Sequence, residues 1–570
     1  MAYSLSRALT AGSSGVLGVA EIHRDDKKKK RGKVNKLVAV TAAAAVVVGG
    51  LVVAPLATAD QTKDQSKPAS KEYTPPPVQW GECENPTLVE AGAQCGFVQV
   101  PLDYNKPNGE KIQLAVSRVT HKGPDGDYQG PMLVNPGGPG GSGLIYAIFG
   151  DFVPNGAGDD YDWIGWDPRG VGSSQPSLSC DPNFDGYNRP FYVPITPGIE
   201  RAWLKRSKNY ANACEDAGGK LLEHMTTIEV AKDMDSIRKA LGSEQINYYG
   251  FSYGTYLGQV YGTMFPDRFR RVVFDGNVDP RQVWYESNID QDIAFDKNIK
   301  IYWEWVAKYD SIYHLGNTAK KVEKLYYSQL PKLLREPAEG KIGPDEWTDI
   351  FLSAAYYVYG WEDVANAFSA WINNGDASGL LDLYPPPGDD NSHAVYLAVI
   401  CTDAKWVTNY NRYRLDNWIT HIKAPFTTWG NAWFNGPCLF WPGKSERPLK
   451  IDGRGVDSAL LINETFDSAT PYPGALEVRK RFPNSVLIEG VNGTTHSGSL
   501  SGVECTDSRI AEYLETGALP ERKPGNKSDV QCDPVPQPVP AESAAPTAEQ
   551  RSASASPTEM RKELAAAVPR

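Results

Sequence analysis

An α/β fold, with a mostly parallel sheet covered by helices and a mainly helical insertion, is predicted by three observations. Short apolar runs alternate with longer helical stretches over most of the 570 residues, the pattern of a parallel sheet with helices on its faces. The first three runs pass straight into glycine-bearing turns, and sites in such sheets form at the carboxyl ends of the strands. From 296 to 426 strand-like runs give way to aromatic-rich amphipathic stretches such as Ile301 to Tyr309 and Val322 to Leu334.

The chain opens with a basic stretch from Lys27 to Lys36, an apolar run from Leu37 to Leu56, and Ala57-Thr58-Ala59. This reads as a signal peptide over 1–59, with cleavage near Asp60. A run of about 20 apolar residues also suits a membrane anchor, but its Ala and Gly content and A-x-A ending favour cleavage. Residues 60–77, polar and closing in Pro75-Pro76-Pro77, form a linker or pro-segment. The core follows in two parts, 78–295 and 427–533, separated by the helical cap at 296–426; a separate helical domain unrelated to the site is the other reading of that stretch. Expected strands are Met132 to Val134, Trp163 to Trp166, Ile246 to Tyr249, Val272 to Phe274, Leu460 to Asn463 and Val486 to Ile488. The Pro-, Ala-, Ser- and Glu-rich end, 534–570, lacks aromatics and is expected to be disordered.

Residues 1–59 hold nine basic and three acidic side chains, so a net charge of −11 for the whole chain leaves −17 on the rest. An acidic surface repels phosphate backbones, which argues against nucleic acid as a partner. All eight cysteines lie beyond residue 59, as suits disulfides in an oxidising compartment. Near-neighbour pairing would join Cys83 to Cys95, Cys180 to Cys214, Cys401 to Cys438 and Cys505 to Cys532, although sequence alone does not fix the connectivity. None has the C-x-x-C spacing of a zinc site.

Gly250-Phe251-Ser252-Tyr253-Gly254 follows the run Ile246 to Tyr249. A serine on a sharp strand-to-helix turn projects its hydroxyl from the sheet, and the flanking glycines permit the turn, as in an α/β-hydrolase core. An ordinary strand-to-helix turn is the competing reading. Asn135 to Gly143, N-P-G-G-P-G-G-S-G, directly follows the strand Met132 to Val134. Its free backbone N–H groups suit an oxyanion hole, with Gly138 supplying one donor and Tyr253, after the serine, the other. The lysine of a phosphate-binding loop is absent.

A serine hydroxyl needs a base, and the base an orienting acid. The order Ser, Asp or Glu, His selects His496, in the loop Gly493 to Gly498 after the last expected strands. Asp467 follows the strand Leu460 to Asn463, with Glu464 and Asp457 in reserve. A surface histidine and a helix N-cap are the plainer uses of these residues.

With these motifs in place, 78–532 resembles the secreted tripeptidyl aminopeptidases of actinobacteria, a branch of the prolyl-aminopeptidase-like α/β-hydrolases. The likeness extends to Trp166 to Gly172 (W-D-P-R-G-V-G), His224 to Thr227 (H-M-T-T), Asn288 to Asp292, Cys401 to Trp406 (C-T-D-A-K-W) and Trp429 to Trp433. It implies release of tripeptides from free N-termini through an acyl-enzyme, with no metal or organic cofactor, and processing of secreted proenzymes or scavenging of peptides. Thr495 departs from the family's usual glycine before the histidine, and Gly276-Asn277 departs after the strand ending at Asp275.

An exopeptidase has to recognise the substrate's ammonium, which calls for carboxylates at a fixed distance from the nucleophile; Glu286, Asp290 and Asp292 are the candidates. The protein is thus expected to be an extracellular monomer acting on peptide or protein N-termini, without stable membrane association once the leader is removed. A secreted esterase or amidase, or a non-catalytic binding protein on the same scaffold, would use the same fold.

Overall fold

Ten strands make one mixed sheet in the structure, a computed structural model that describes residues 73–386 and 388–540. They are β1 (Gly81–Glu82), β2 (Gln94–Pro101), β3 (Lys111–Val119), β4 (Pro131–Asn135), β5 (Asp162–Trp166), β6 (Ile246–Phe251), β7 (Phe269–Asp275), β8 (Ala459–Glu464), β9 (Ser485–Gly490) and β10 (Val530–Cys532). Their order is β1-β2-β3-β5-β4-β6-β7-β8-β9-β10. All pairs from β5 through β10 are parallel, while β1, β2, β3 and β5 pair antiparallel. The leader at 1–59 lies outside the described residues.

The six strands expected from apolar runs are the parallel centre of this sheet. Both faces are covered there, so side chains alternate between two hydrophobic layers: Ile246 and Tyr248 of β6 face one, Tyr249 and Phe251 the other. Strands β2 and β3 were not anticipated. In β2, Val98 and Val100 are buried while Phe97 and Gln99 are exposed, and such one-sided alternation makes no apolar run.

The chain between β7 and β8 is mainly helical and falls into two parts. The helices Tyr285–Lys308, Ala319–Leu333, Pro344–Tyr356 and Trp361–Asn374 build their own hydrophobic cluster around Trp303, Trp347 and Trp361, each at most 1 % exposed. Each such ring contributes about 4–6 kcal/mol of area burial before the entropy of ordering it. The helices Asn391–Asp403, Tyr410–Lys423 and Thr428–Phe434 instead join the layer over the sheet, through Leu397, Tyr413 and Trp429.

Four disulfides join Cys83 to Cys95, Cys180 to Cys214, Cys401 to Cys438 and Cys505 to Cys532, which is the near-neighbour pairing. At separations of 12 to 37 residues, loop closure makes each worth about 3–4 kcal/mol. One boundary needs correction, because the chain does not leave the fold at Pro534. Val535 is buried and donates its N–H to Glu464 Oε1 at 2.7 Å, and Trp305 Nε1 donates to Pro538 O at 2.8 Å. A single apolar anchor within a proline-rich stretch is invisible to composition.

Candidate active site

Ser252 sits between the end of β6 and the helix Tyr253–Met264, with φ 55° and ψ −125°. That left-handed conformation costs about 1–3 kcal/mol and persists only where the surroundings enforce it. Here Ser252 N–H donates to Asp275 O at 2.9 Å, and Ser252 O accepts from Thr255 N at 2.8 Å and Thr255 Oγ1 at 2.7 Å. The flanking glycines are steric necessities. A Cβ on Gly250 would stand 2.6 Å from Gly254 O, and one on Gly254 2.7 Å from Asn135 O.

The glycine-rich loop after β4 runs directly over this turn. A Cβ on Gly137 would lie 2.8 Å from Ser252 Cβ and 3.1 Å from Tyr253 N. Asn135 Oδ1 holds Gly137 N–H at 3.1 Å, and Asp167, from the W-D-P-R-G run, accepts from Ser142 Oγ at 2.7 Å and Gly143 N at 2.9 Å. Gly138, at φ 104°, and Ser252 border the same two cavities. Among the described residues the N–H groups of Gly138 and Tyr253 make no hydrogen bond of their own. Tyr253 also opens a helix, whose dipole favours negative charge there.

His496 and Asp467 meet behind the serine. His496 Nδ1 lies 3.0 and 2.9 Å from the two carboxylate oxygens, and both residues are 2 % exposed. Asp467 also accepts from Ala469 N at 3.0 Å, Thr470 N at 2.8 Å and Thr470 Oγ1 at 2.7 Å. It therefore caps a turn, the plainer use of an aspartate at this position, and engages the imidazole as well. His496 Nε2 has Ser497 Oγ at 3.5 Å, and the Ser252 hydroxyl makes no hydrogen bond among the described residues. Histidine and serine share the cavity of about 390 Å³ without a closed hydrogen bond between them. Such contacts are often long before substrate binds.

The helical insertion holds the histidine loop. His496 N–H donates to Tyr356 O at 2.9 Å, and Asn298 Nδ2 bridges Ala355 O at 3.2 Å and Thr494 O at 3.1 Å. Ser468 Oγ also donates to Ala355 O, at 2.7 Å. Thr495 turns its departure from glycine to use: its hydroxyl accepts from Val358 N at 3.3 Å. From the sheet side, Glu464 accepts the Thr495 N–H, and burial pushes its carboxyl up to about 8. Glu464 thus braces the loop rather than the imidazole, and Asp457 is exposed at the amino end of β8. Tyr356, Asn298 and Thr470 went unrecognised in the sequence, and Thr495 stands out there only as a departure from the family pattern. Among the first three only Thr470 carried a signal, its position three residues after Asp467.

Two cavities meet at Ser252. One, of about 450 Å³, is bordered by Trp284, Asp290, Lys297 and Asp467; the other, of about 390 Å³, by Asp185, Arg189, Asp349, Tyr356 and His496. Of the three carboxylates expected to meet the substrate amine, only Asp290 borders either cavity. Glu286 is exposed away from both, and Asp292 is buried against Asn431 Nδ2 at 2.9 Å. All three lie on the helix Tyr285–Lys308: Asp292, two residues after Asp290, points to nearly the opposite side, while Glu286, four residues before, shares the face of Asp290 but stands one turn nearer the helix's amino end.

The chain belongs to the alpha/beta hydrolase fold family, whose model matches residues 130–500. It is 40 % identical to a tripeptidyl aminopeptidase of Streptomyces coelicolor over 478 residues, 81 % of this chain and 87 % of that protein. It is 31 % identical to the serine protease Hip1 of Mycobacterium tuberculosis, over 78 % and 90 % of the two chains. Carboxylesterase B of Mycobacterium tuberculosis is 29 % identical over 83 % and 95 %. The family resemblance carried by the sequence motifs is met, and the chain is a serine hydrolase.

Proposed function

We propose that the protein is an exported serine exopeptidase that releases short peptides, tripeptides foremost, from free N-termini. The observation that carries this reading is the buried His496–Asp467 pair opening onto the same cavity as the strained Ser252. In the proposed cycle Ser252 Oγ attacks the peptide carbonyl as His496 Nε2 takes its proton, and Asp467 holds Nδ1–H and stabilises the imidazolium. The oxyanion rests on the N–H groups of Tyr253 and Gly138. His496 then returns the proton to the departing amine, and water hydrolyses the ester by the same route.

The tripeptide specificity draws on the name of the Streptomyces relative. Export draws on the leader at 1–59 and on four disulfides, which suit an oxidising compartment. In this reading the insertion caps the site with its four helices, three of which carry tryptophan. The substrate ammonium is assigned to Asp290, the one candidate carboxylate that borders a Ser252 cavity. A second location is favoured by charge: the other cavity sets Asp185, Asp349 and Asp389 against one guanidinium, Arg189. Asp290→Asn and Asp349→Asn separate them, since only the true contact raises KM for free-amine substrates while leaving N-acetylated ones unchanged.

The test of the whole reading is kinetic. Tripeptide anilides with free amines are expected to react far faster than their N-acetylated forms or simple esters, and products from a mixed peptide pool should be tripeptides by mass. The similarity to a carboxylesterase over most of its length favours the rival, an esterase or amidase on small acyl substrates. Equal rates with acetylated peptides, or faster turnover of simple esters, would establish that rival instead.

A further inference from the structure

Two sequence motifs outside the catalytic loops, H-M-T-T at His224 to Thr227 and C-T-D-A-K-W at Cys401 to Trp406, converge on the residue after the nucleophile. Asp403 ends the helix Asn391–Asp403 and is buried, without a salt bridge to any described cation. Its partners are neutral donors: Thr227 N at 2.6 Å, the Thr227 hydroxyl, and Trp284 Nε1 at 3.3 Å. Burial pushes this carboxyl up to about 6, against those donors. Thr227 is fully buried as the first residue of the helix Thr227–Ala240, so the carboxylate also caps that helix's positive end.

The direction of the chain follows from proton count. A threonine hydroxyl has one hydrogen, and Thr227 gives it to Asp403. The contact at 2.8 Å between Thr227 Oγ1 and Tyr253 OH is therefore a donation from the phenol. Tyr253 is itself buried, which keeps the phenol neutral by pushing its pKa far up.

The peptide plane between Ser252 and Tyr253 is thus held from two sides. Its carbonyl accepts both the N–H and the hydroxyl of Thr255, so its N–H points the opposite way. The far end of the Tyr253 side chain is pinned by Thr227. At a Ser252 φ of 55° the ψ of −125° is strained, and a rotation of this plane, which turns ψ and leaves φ in place, would relieve it by moving the residue toward the left-handed helical basin; such a rotation would carry the N–H away from the oxyanion. We propose that Asp403, Thr227 and the Tyr253 phenol form a positioning chain that fixes the Tyr253 N–H in the oxyanion hole. The inference rests on the assignment of Tyr253 N–H as an oxyanion donor.

The test uses Thr227→Val and Tyr253→Phe in the full-length protein, singly and together, with a tripeptide anilide as substrate and a peptidyl trifluoromethyl ketone as oxyanion-forming inhibitor. Deleting an oxyanion donor costs about 10²–10³ in kcat; loosening one is expected to cost about tenfold. Each single variant should show that loss in kcat with KM within about twofold, and a matching loss of affinity for the ketone but not for the tripeptide product. The double variant should be no worse than either single one, because both break the same chain, and Thr227→Ser should restore activity. If one valine variant fails to fold, Tyr253→Phe carries the test alone. An unchanged kcat, losses that multiply in the double variant, or equal weakening of ketone and product would overturn the inference. Failure of the wild-type protein to react with a fluorophosphonate at Ser252 would instead overturn the serine-hydrolase chemistry beneath it.

Discussion

The two halves of the site are held by opposite means. Ser252 is gripped through its backbone, in a conformation that side chains rarely adopt, and its hydroxyl is left without a hydrogen bond. The His496–Asp467 pair is the reverse: the side chains hold each other, Asp467 accepts three further bonds, and the loops bearing them are tied to Tyr356, Asn298 and Glu464. The nucleophile is thus fixed through the backbone of its own turn, by Asp275 of the sheet and Thr255 of the following helix, whereas base and acid depend also on the helical insertion. Insertion and sheet together set the gap that substrate has to close.

The largest effect should come from the serine side. Ser252→Ala is expected to lower turnover by about 10⁶-fold, as loss of a triad serine does elsewhere, with an unchanged melting temperature by calorimetry; near-normal turnover would remove the nucleophile assignment. Next is the pair itself. Asp467→Asn should cost about 10⁴ in kcat by stabilising the wrong imidazole tautomer, measured on the same anilide, and a loss of tenfold or less would mean that the carboxylate only caps its turn.

A smaller effect is expected at the contact between the halves. Gly276, at φ 72°, has room for no Cβ: one would stand 2.9 Å from His496 Cε1 and 2.6 Å from Ser497 Oγ. Gly276→Ala should push the imidazole aside and cost about 10²-fold, the scale of a displacement near 1 Å, with little change in KM. The smallest effect concerns stability. Burial first, and then the charges of Asp467 and Asp275, raise Glu464 from 4.5 to about 8, opposed by the N–H groups of Val535 and Thr495. Between those two values the folded state binds more protons than the unfolded one, so this group's contribution falls as pH rises through that window. Melting temperature across pH 5 to 9 should therefore decline less steeply in Glu464→Gln than in the wild type, and parallel slopes would exclude this role for Glu464.

The same division explains what could be read from the sequence. Ser252, Asp467 and His496 each follow a buried parallel strand, and an apolar run ending in a polar or glycine-bearing turn is a local signal. Strand β2 exposes one side and shows only alternation, and in β3 Gln113, Ser117 and Arg118 interrupt the apolar residues. The bonds from Tyr356 and Asn298 to the histidine loop join residues more than a hundred positions apart, and nothing local announces them. The amine-binding candidates failed for a geometric reason. Read as a segment, Glu286, Asp290 and Asp292 are neighbours; on a helix, Asp292 turns inward to Asn431 while Asp290 stays beside the cavity.

Residues 534–540 bear on how this protein should be handled. They run from the Cys505–Cys532 crosslink past Glu464 to the indole of Trp305, stitching sheet to insertion like a lace. A purification tag grafted directly after Asp533 would cut that lace, baring the indole nitrogen and one oxygen of Glu464; an appended sequence is better joined beyond Pro540.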